Sequence, residues 1–349
     1  MKTKTVKIGN VFIGGDNSIA IQSMANVKTS EKNRVVEQIK RLENAGCNII
    51  RVSVKDNDDI AALRYIKENI NIPLVADIHF NYRYALAAID AGVDKIRINP
   101  GNIGSDKNVE EVAKAIKHSG TAVRVGSNSG SVEKDLLMKY GKNEISLAES
   151  ALKNIALMEK YGVDDIVISA KASNVPLTVK TYEYLSQKTN YPLHIGVTEA
   201  GTKSSGTIKS SIGIGSLLLK NIGNTIRVSL TADPIEEVYV AKKILRSVGL
   251  DKNYVEVISC PTCGRTEYDS ISLAEKVETL TANIAKPLKI AVMGCVVNGP
   301  GEARDCDLGI AGGSGYCAFF KNGEIYKKVP FENVEYEFLK EIDKLVHDN

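Results

Sequence analysis

From Ala20 to Ser229, short β-branched runs alternate with longer segments whose apolar positions recur every three or four residues. The strand patterns are "AIQSM" (Ala20–Met24), "IIRVS" (Ile49–Ser53), "LVADI" (Leu74–Ile78), "KIRIN" (Lys95–Asn99), "AVRVG" (Ala122–Gly126), "DIVIS" (Asp165–Ser169), "LHIGV" (Leu193–Val197) and "TIRVS" (Thr225–Ser229). Between them lie amphipathic helix patterns. "EKNRVVEQIKRLENAG" stops at Gly46, a residue type that ends helices in the left-handed conformation. "DPIEEVYVAKKILRSVG" opens on Asp233-Pro234, a capping side chain followed by proline at the first helical position. Strand–helix alternation predicts a parallel sheet. Eight repeats suit a (β/α)8 TIM-type barrel, which usually takes about 250 residues. The competing arrangement, an open doubly wound sheet, lacks a GxGxxG after the first strand.

After Gly249 the pattern changes. "YVEVISC" and "KIAVMGC" read as buried strands separated by the helical "SISLAEKVETLTANI". "DLGIAGG", "YCAFFKNGEIYKKV" and a helix from Phe331 to His347 follow, with "KNGE" as a hairpin turn. The fold class expected is α/β: a barrel over residues 1–248, then a small α+β domain over 249–349, the boundary lying near Ser247–Asn253.

The formal net charge of +3 is too small to argue for nucleic acid or membrane binding. The N-terminus has no signal-peptide core, and "IAVMGCVV" is too short to span a bilayer. A cytoplasmic protein is expected, in which the six cysteines serve metal binding, redox chemistry or packing rather than disulfides.

Charge is instead concentrated on the barrel strands. Arg51, Arg97, Arg124 and Arg227 lie within strand patterns, and His79 and Lys171 follow two others. Active sites of such barrels form at the C-terminal strand ends. One strand arginine is most simply paired with a carboxylate or directed to the surface. Six basic groups at equivalent positions, with Asp77 and Glu199 as the evident acids, leave positive charge unmatched. Buried cations need anionic partners, and phosphate or diphosphate suits arginine forks. Asn99, Asn128, Thr198 and Ser229 add polar groups at strand ends. The glycine- and serine-rich "GTKSSGTIKSSIGIGSLL" after the seventh strand leads into a helix and is either a phosphate loop or a flexible surface loop.

The second chemical cluster is "SCPTCGR", with Cys260 and Cys263, followed by "MGCVVNGPGEARDCD", with Cys295, Glu302 and Cys306. Two strand ends carrying thiols suit a metal site, although a lone C-x-x-C also suits a redox pair. Tetrahedral zinc needs a fourth nitrogen or sulfur ligand. Cys306 and Cys317 read as buried inert thiols, Cys47 as structural, and His347 lies at the end of the last helix. An iron–sulfur cluster accepts three thiolates and one oxygen donor. Glu302, set by the turn Asn298-Gly299-Pro300-Gly301, is the natural fourth ligand, and a weakly held iron can bind substrate.

With "VADIHFNYRYAL", "KIRINPGNIG", "VRVGSNSGS", "ISAKAS", "HIGVTEAG" and "TIRVSLTADP", these motifs make the chain resemble the 4-hydroxy-3-methylbut-2-enyl diphosphate synthase family over nearly its whole length. It is similar to the short bacterial form, which lacks the middle domain of plant enzymes. The resemblance implies a [4Fe–4S] cluster held by Cys260, Cys263, Cys295 and Glu302. It implies reductive ring opening and dehydroxylation of 2-C-methyl-D-erythritol 2,4-cyclodiphosphate in the methylerythritol phosphate route to isoprenoids. Flavodoxin or ferredoxin supplies two electrons. The family's diphosphate-binding residues would fall on Arg51, Arg97, Arg124, Lys171, Arg227, Asn128 and Ser229, with His79 nearby; Thr198, a polar group at a strand end, is expected beside them. Glu199 is the acidic residue beside the substrate and the expected proton donor. The family implies a head-to-tail homodimer in which one copy's cluster domain caps the other's barrel. Two other classes stay open: a phosphate-binding barrel lyase or synthase with a structural zinc domain, and a nucleic-acid-binding protein with a zinc-ribbon tail.

Overall fold

The computed structural model describes residues 2–297 and 299–347. The chain divides into two compact units, Met1–Leu250 and Asp251–Asn349.

In the first unit, a hairpin of β1 (Val6–Ile8) and β2 (Val11–Ile13) precedes β3 (Ala20–Met24), β4 (Ile49–Val54), β5 (Leu74–Ile78), β6 (Lys95–Ile98), β7 (Ala122–Asn128), β8 (Ile166–Lys171), β9 (His194–Ile195) and β10 (Thr225–Ile226). The last eight pair in the order β8-β7-β6-β5-β4-β3-β10-β9, and a parallel bridge from Ile168 to Leu193 joins the ends. This is the expected barrel, with every predicted strand present and β9 and β10 shortened to two residues each. The helix Lys32–Asn44 stops before Gly46, whose φ is 102°. The helix Pro234–Ser247 is capped by Asp233, which accepts from Ile235 N.

The stretch after β9 is not a flexible surface loop: Lys203–Leu218 is helical, preceded only by Gly201 and Thr202. Its glycines are packing positions. A Cβ on Gly213 would lie 2.6 Å from Val197 Cγ2, and one on Gly206 2.6 Å from Leu230 Cδ2. The helix therefore approaches its neighbours more closely than larger residues allow.

Strand residues alternate between two environments, as the period of two requires. Ile21, Ile50, Val52, Ala76, Ile96, Val123, Ile168 and Ile226 pack outward in the main core under the helices. Of the inward set, Ala20, Ile49, Val75, Ala122 and Val167 form a small apolar layer closed by Val6, Ile8 and Ile13 of the hairpin. The barrel is thus plugged at its N-terminal end, and inward positions nearer the C-terminal ends are free for polar groups.

The second unit is a five-stranded sheet: β11 (Val255–Ser259), β12 (Leu288–Met293), β13 (Leu308–Gly313), β14 (Tyr316–Lys321) and β15 (Glu324–Pro330). The first three are parallel and the last two antiparallel. Helices Ser270–Thr281 and Phe331–His347 contribute Leu273, Val277, Val334, Phe338 and Ile342 to its core. The predicted hairpin turn is present, with Asn322 (φ 50°) and Gly323 (φ 81°) both left-handed. Among the described residues, no helix is long and apolar enough to cross a membrane.

Candidate active site

Above the apolar plug, the barrel interior is lined with cations. Asp77 on β5, Arg97 on β6 and Arg124 on β7 stand in register on neighbouring strands. Arg97 Nη1 lies 3.1 Å from Asp77 Oδ1, and Arg51 Nε 3.5 Å from Asp77 Oδ2. These arginines come from mid-strand rather than from the rim. Arg51 also donates to Met24 Sδ, from Nε at 3.2 Å and Nη2 at 2.8 Å. Arg227 follows β10 and sits 3.4 Å from Glu237 Oε1. The Nε groups of Arg97, Arg124 and Arg227 are buried with no hydrogen-bond partner. Buried donors are almost always satisfied, so three orphaned guanidinium N–H groups on barrel strand positions point to an acceptor in the barrel interior.

Electrostatics agree. Burial, reinforced by Arg51 and Arg97, pulls Arg124 well below the usual arginine range. Burial, reinforced by Arg124, Arg227 and Arg51, does the same to Lys171. Arg51 falls to about 10 through burial, partly offset by Asp77. Burial pushes Asp77 up, but Arg51, Arg97 and Arg124 together outweigh it and hold the carboxyl at about 2. One carboxylate is thus shared among three guanidinium groups.

The other residues expected at the site are distributed as follows. His79 is exposed beyond β5, with Nε2 3.1 Å from Arg97 Nη1. Arginine only donates, so Nε2 accepts and the ring proton sits on Nδ1. Asn128 is exposed at the end of β7, and Thr198 and Ser229 are half-buried beyond β9 and β10. Asn99 is buried and already engaged, accepting from Gly101 N at 3.1 Å. Glu199 is exposed after β9 with φ 51°, a left-handed conformation rare for a non-glycine residue. A cleft of about 440 Å³ is lined by Met24, Asn26, Lys28, Ser53, Lys55 and Arg227 among others.

Three interior residues escaped the sequence reading. Glu237, on a helix, accepts from Leu230 N at 3.0 Å besides pairing with Arg227. Lys95 is fully buried, with Nζ 3.1 Å from Gln22 Oε1. His194 is fully buried between Lys171 and Thr225. Lys95 and His194 were detectable, because each has the same strand parity as an expected site residue, Lys95 two residues before Arg97 and His194 four before Thr198. Glu237 carried no such signal within its amphipathic helix.

In the second unit, β11 and β12 run parallel in register, Ser259 opposite Val292. Cys260 and Cys295 therefore leave the same end of the sheet. Gly294 N donates to Cys260 Sγ at 3.0 Å. A Cβ on Gly294 would meet Thr266 Oγ1 at 2.7 Å and Cys260 Sγ at 3.4 Å, so the backbone passes the sulfur closely only because residue 294 is glycine. Cys263 is exposed, its N–H donating to Thr266 Oγ1 at 3.4 Å. Glu302 is exposed at the end of the short helical turn Gly299–Glu302, which begins four residues after Cys295. Asn298, expected to begin that turn, lies outside the described residues. Burial pushes the Cys306 thiol up to about 11 and the Cys317 thiol to about 12, and Cys47 in the barrel likewise to about 12. Of the unit's five thiols, Cys260, Cys263 and Cys295 are the accessible ones. Among the described residues, no three His, Cys, Asp or Glu side chains converge on one metal-ion position.

Fold and sites define the class: a (β/α)8 barrel with a cationic interior, joined to an α+β domain that presents accessible thiols from adjacent strand ends. Residues 3–242 match the GcpE TIM-barrel domain and residues 256–344 the GcpE protein C-terminal domain. The chain belongs to the GcpE family. It is 58% identical over 347 residues to the 4-hydroxy-3-methylbut-2-en-1-yl diphosphate synthase (flavodoxin) of Caldanaerobacter subterraneus subsp. tengcongensis, covering 99% of this chain and 98% of that one. It is 54% identical over 345 residues to the protein of the same name from Clostridium perfringens, covering 99% of both. Among solved structures, dihydropteroate synthase from Stenotrophomonas maltophilia aligns with a TM-score of 0.51 at 13% identity, over 70% of this chain and 98% of that one, a likeness of fold alone. Membership of the family implies an iron–sulfur cofactor.

Proposed function

We infer that the chain carries out the reaction for which its relatives are named, forming 4-hydroxy-3-methylbut-2-enyl diphosphate from 2-C-methyl-D-erythritol 2,4-cyclodiphosphate in the methylerythritol phosphate route. It is an oxidoreductase. Two electrons enter, the ring carbon–oxygen bond to the diphosphate breaks, and the neighbouring hydroxyl leaves as water after taking a proton. The observation that carries the reading on the barrel side is the set of buried, unpartnered Nε groups of Arg97, Arg124 and Arg227. A cyclic diphosphate supplies acceptors for all three, and charge-assisted bonds of this kind are strong.

Arg51, Arg97, Arg124, Lys171 and Arg227 hold the diphosphate, with His79, Asn128, Thr198 and Ser229 completing its polar contacts. The departing diphosphate oxygen keeps its negative charge among the arginines and needs no proton. Glu199 carries the proton for the departing hydroxyl on its carboxyl group. A Glu199→Gln chain with full turnover removes that role.

The donor set of the second unit fits an iron–sulfur group: three accessible thiols, one already accepting a backbone N–H, and a carboxylate one turn beyond. Cys260, Cys263 and Cys295 with Glu302 are the proposed ligands of a [4Fe–4S] cluster. Such a cluster supplies electrons singly and a Lewis-acidic iron. Glu302 would hold the fourth iron through a carboxylate, a weaker donor than the three thiolates. Flavodoxin, which the relatives' names carry, is the proposed donor, with ferredoxin the other candidate.

The test is anaerobic purification followed by turnover of the cyclodiphosphate with an artificial reductant. A brown protein with about four iron and four sulfide per chain, forming the linear diphosphate, is the expected result. A colourless zinc protein without turnover overturns it.

A further inference from the structure

Lys171, at the end of β8, is the one lysine among the proposed diphosphate contacts, and a lysine stem has no fork to fix its direction. What directs it here is a hydrogen-bond chain across three strands. Lys171 Nζ lies 3.1 Å from His194 Nε2, and His194 Nδ1 lies 2.7 Å from Thr225 Oγ1. His194 and Thr225 are paired in register on β9 and β10, and both are fully buried. The ring is fixed further through its own backbone, since Tyr182 Oη–H donates to His194 O at 2.7 Å.

A second observation points to the same place. Just past the end of β9, a Cβ on Gly196 would come within 2.9 Å of Lys171 Nζ. The ammonium therefore occupies space left by a missing side chain, directly beyond the imidazole. A diphosphate bound beside Lys171 would favour its ammonium form against the pull of burial and the neighbouring arginines, and an ammonium only donates, so Nε2 accepts and the ring proton sits on Nδ1, donating to Thr225 Oγ1. Burial, with Lys171, Arg124, Lys95 and Arg51 adding to it, holds His194 well below the usual histidine range, in keeping with a neutral ring.

We propose that His194 is a positioning residue: as the Nδ1–H tautomer, braced by Thr225, it accepts from Lys171 Nζ and aims the ammonium at the bound diphosphate. The proposal rests on the reading of the barrel interior as the diphosphate site. The arrangement asks nothing of the iron–sulfur group, so binding of inorganic pyrophosphate to the full chain reports on it directly.

The experiment is calorimetric titration of pyrophosphate into the wild type, His194→Leu, His194→Gln, Lys171→Met and the Lys171→Met/His194→Leu double variant. His194→Leu should weaken binding about tenfold, the scale of one hydrogen bond to a charged group. His194→Gln, which keeps an acceptor near the same place, should recover most of it. In the Lys171→Met background, His194→Leu should cost nothing more, because residues acting through one contact are not additive. A loss that persists in that background makes His194 merely structural and overturns the proposal. So does an unchanged affinity in His194→Leu when Lys171→Met is weakened. Wild-type affinity in Lys171→Met instead removes Lys171 from the anion site, and the proposal falls with that part of the reading. Should His194→Leu not fold, histidine-selective nitrogen-15 spectra of the wild type decide. The chain has only four histidines, and a proton on His194 Nε2 rather than Nδ1 overturns the assignment.

Discussion

Asp77 concentrates the conflict between stability and binding. Its carboxylate is the counter-charge for Arg51 and Arg97, and all three side chains are largely buried. Removing one partner of a buried ion pair typically costs about 3–5 kcal/mol, because the charges left behind have lost their solvent. Asp77→Asn should therefore lower the melting temperature clearly. Millimolar pyrophosphate should stabilise the variant more than the wild type, since it restores negative charge to the same cavity. Equal stabilisation of both would mean that the anion binds elsewhere. The sign with pH follows from the folded pKa of about 2 against an ordinary 3.8. Asp77 contributes fully above the ordinary value, and that contribution is lost as pH falls toward 2. The wild-type advantage over Asp77→Asn should shrink across that interval. At the other site, Glu302→Cys tests whether a donor that can release is needed. The variant should keep an iron–sulfur absorption spectrum and lose most turnover, whereas unchanged turnover would return the fourth position to Cys306.

At the scale of the strand, the period of two does most of the functional assignment. Arg51, Arg97, Arg124, Lys171 and Arg227 were readable as one lining because each sits on an inward position of a strand whose alternate residues are apolar. The same rule applied one step earlier reaches Lys95, His194 and Thr225. They lie one layer below the strand ends, where barrel interiors are ordinarily apolar, so the general rule for barrel active sites does not point to them. The hairpin β1–β2 was not legible either, since three-residue strands leave no periodicity, although it plugs the barrel and so decides which layers are polar. The packing role of the glycines was not legible for a related reason. In the helix Lys203–Leu218 they permit close packing, which only a structure shows. Gly196 is the clearest case. A Cβ there would stand 2.3 Å from the backbone oxygen of Arg227 as well as close to Lys171 Nζ. Gly196→Ala should displace β10 or the lysine, weaken pyrophosphate at least tenfold, and leave the iron content of the second unit unchanged. Undiminished pyrophosphate affinity would show that neither contact matters.

At the scale of the molecule, the two proposed sites belong to two units with separate cores, and the reaction needs both. Family resemblance implies a head-to-tail homodimer in which the thiol-bearing unit of one copy serves the barrel of the other, and we expect the same here. Symmetry makes the expectation quantitative. Let one chain carry Cys263→Ser and the other Arg124→Met, each inactive alone, and let both be co-expressed in equal amounts. Random pairing makes half of the dimers mixed. If the units work across the dimer, a mixed dimer contains one intact pair, the barrel of the Cys263→Ser chain with the thiols of the Arg124→Met chain, and one doubly defective pair. About a quarter of wild-type activity per chain should return, as expected for a closed two-fold dimer. If each barrel is served by its own chain, every pair in every dimer is defective and nothing returns. When mixed dimers are isolated with two affinity tags, the alternatives differ between about half of wild-type activity per chain and zero, which decides between them even when exchange is incomplete.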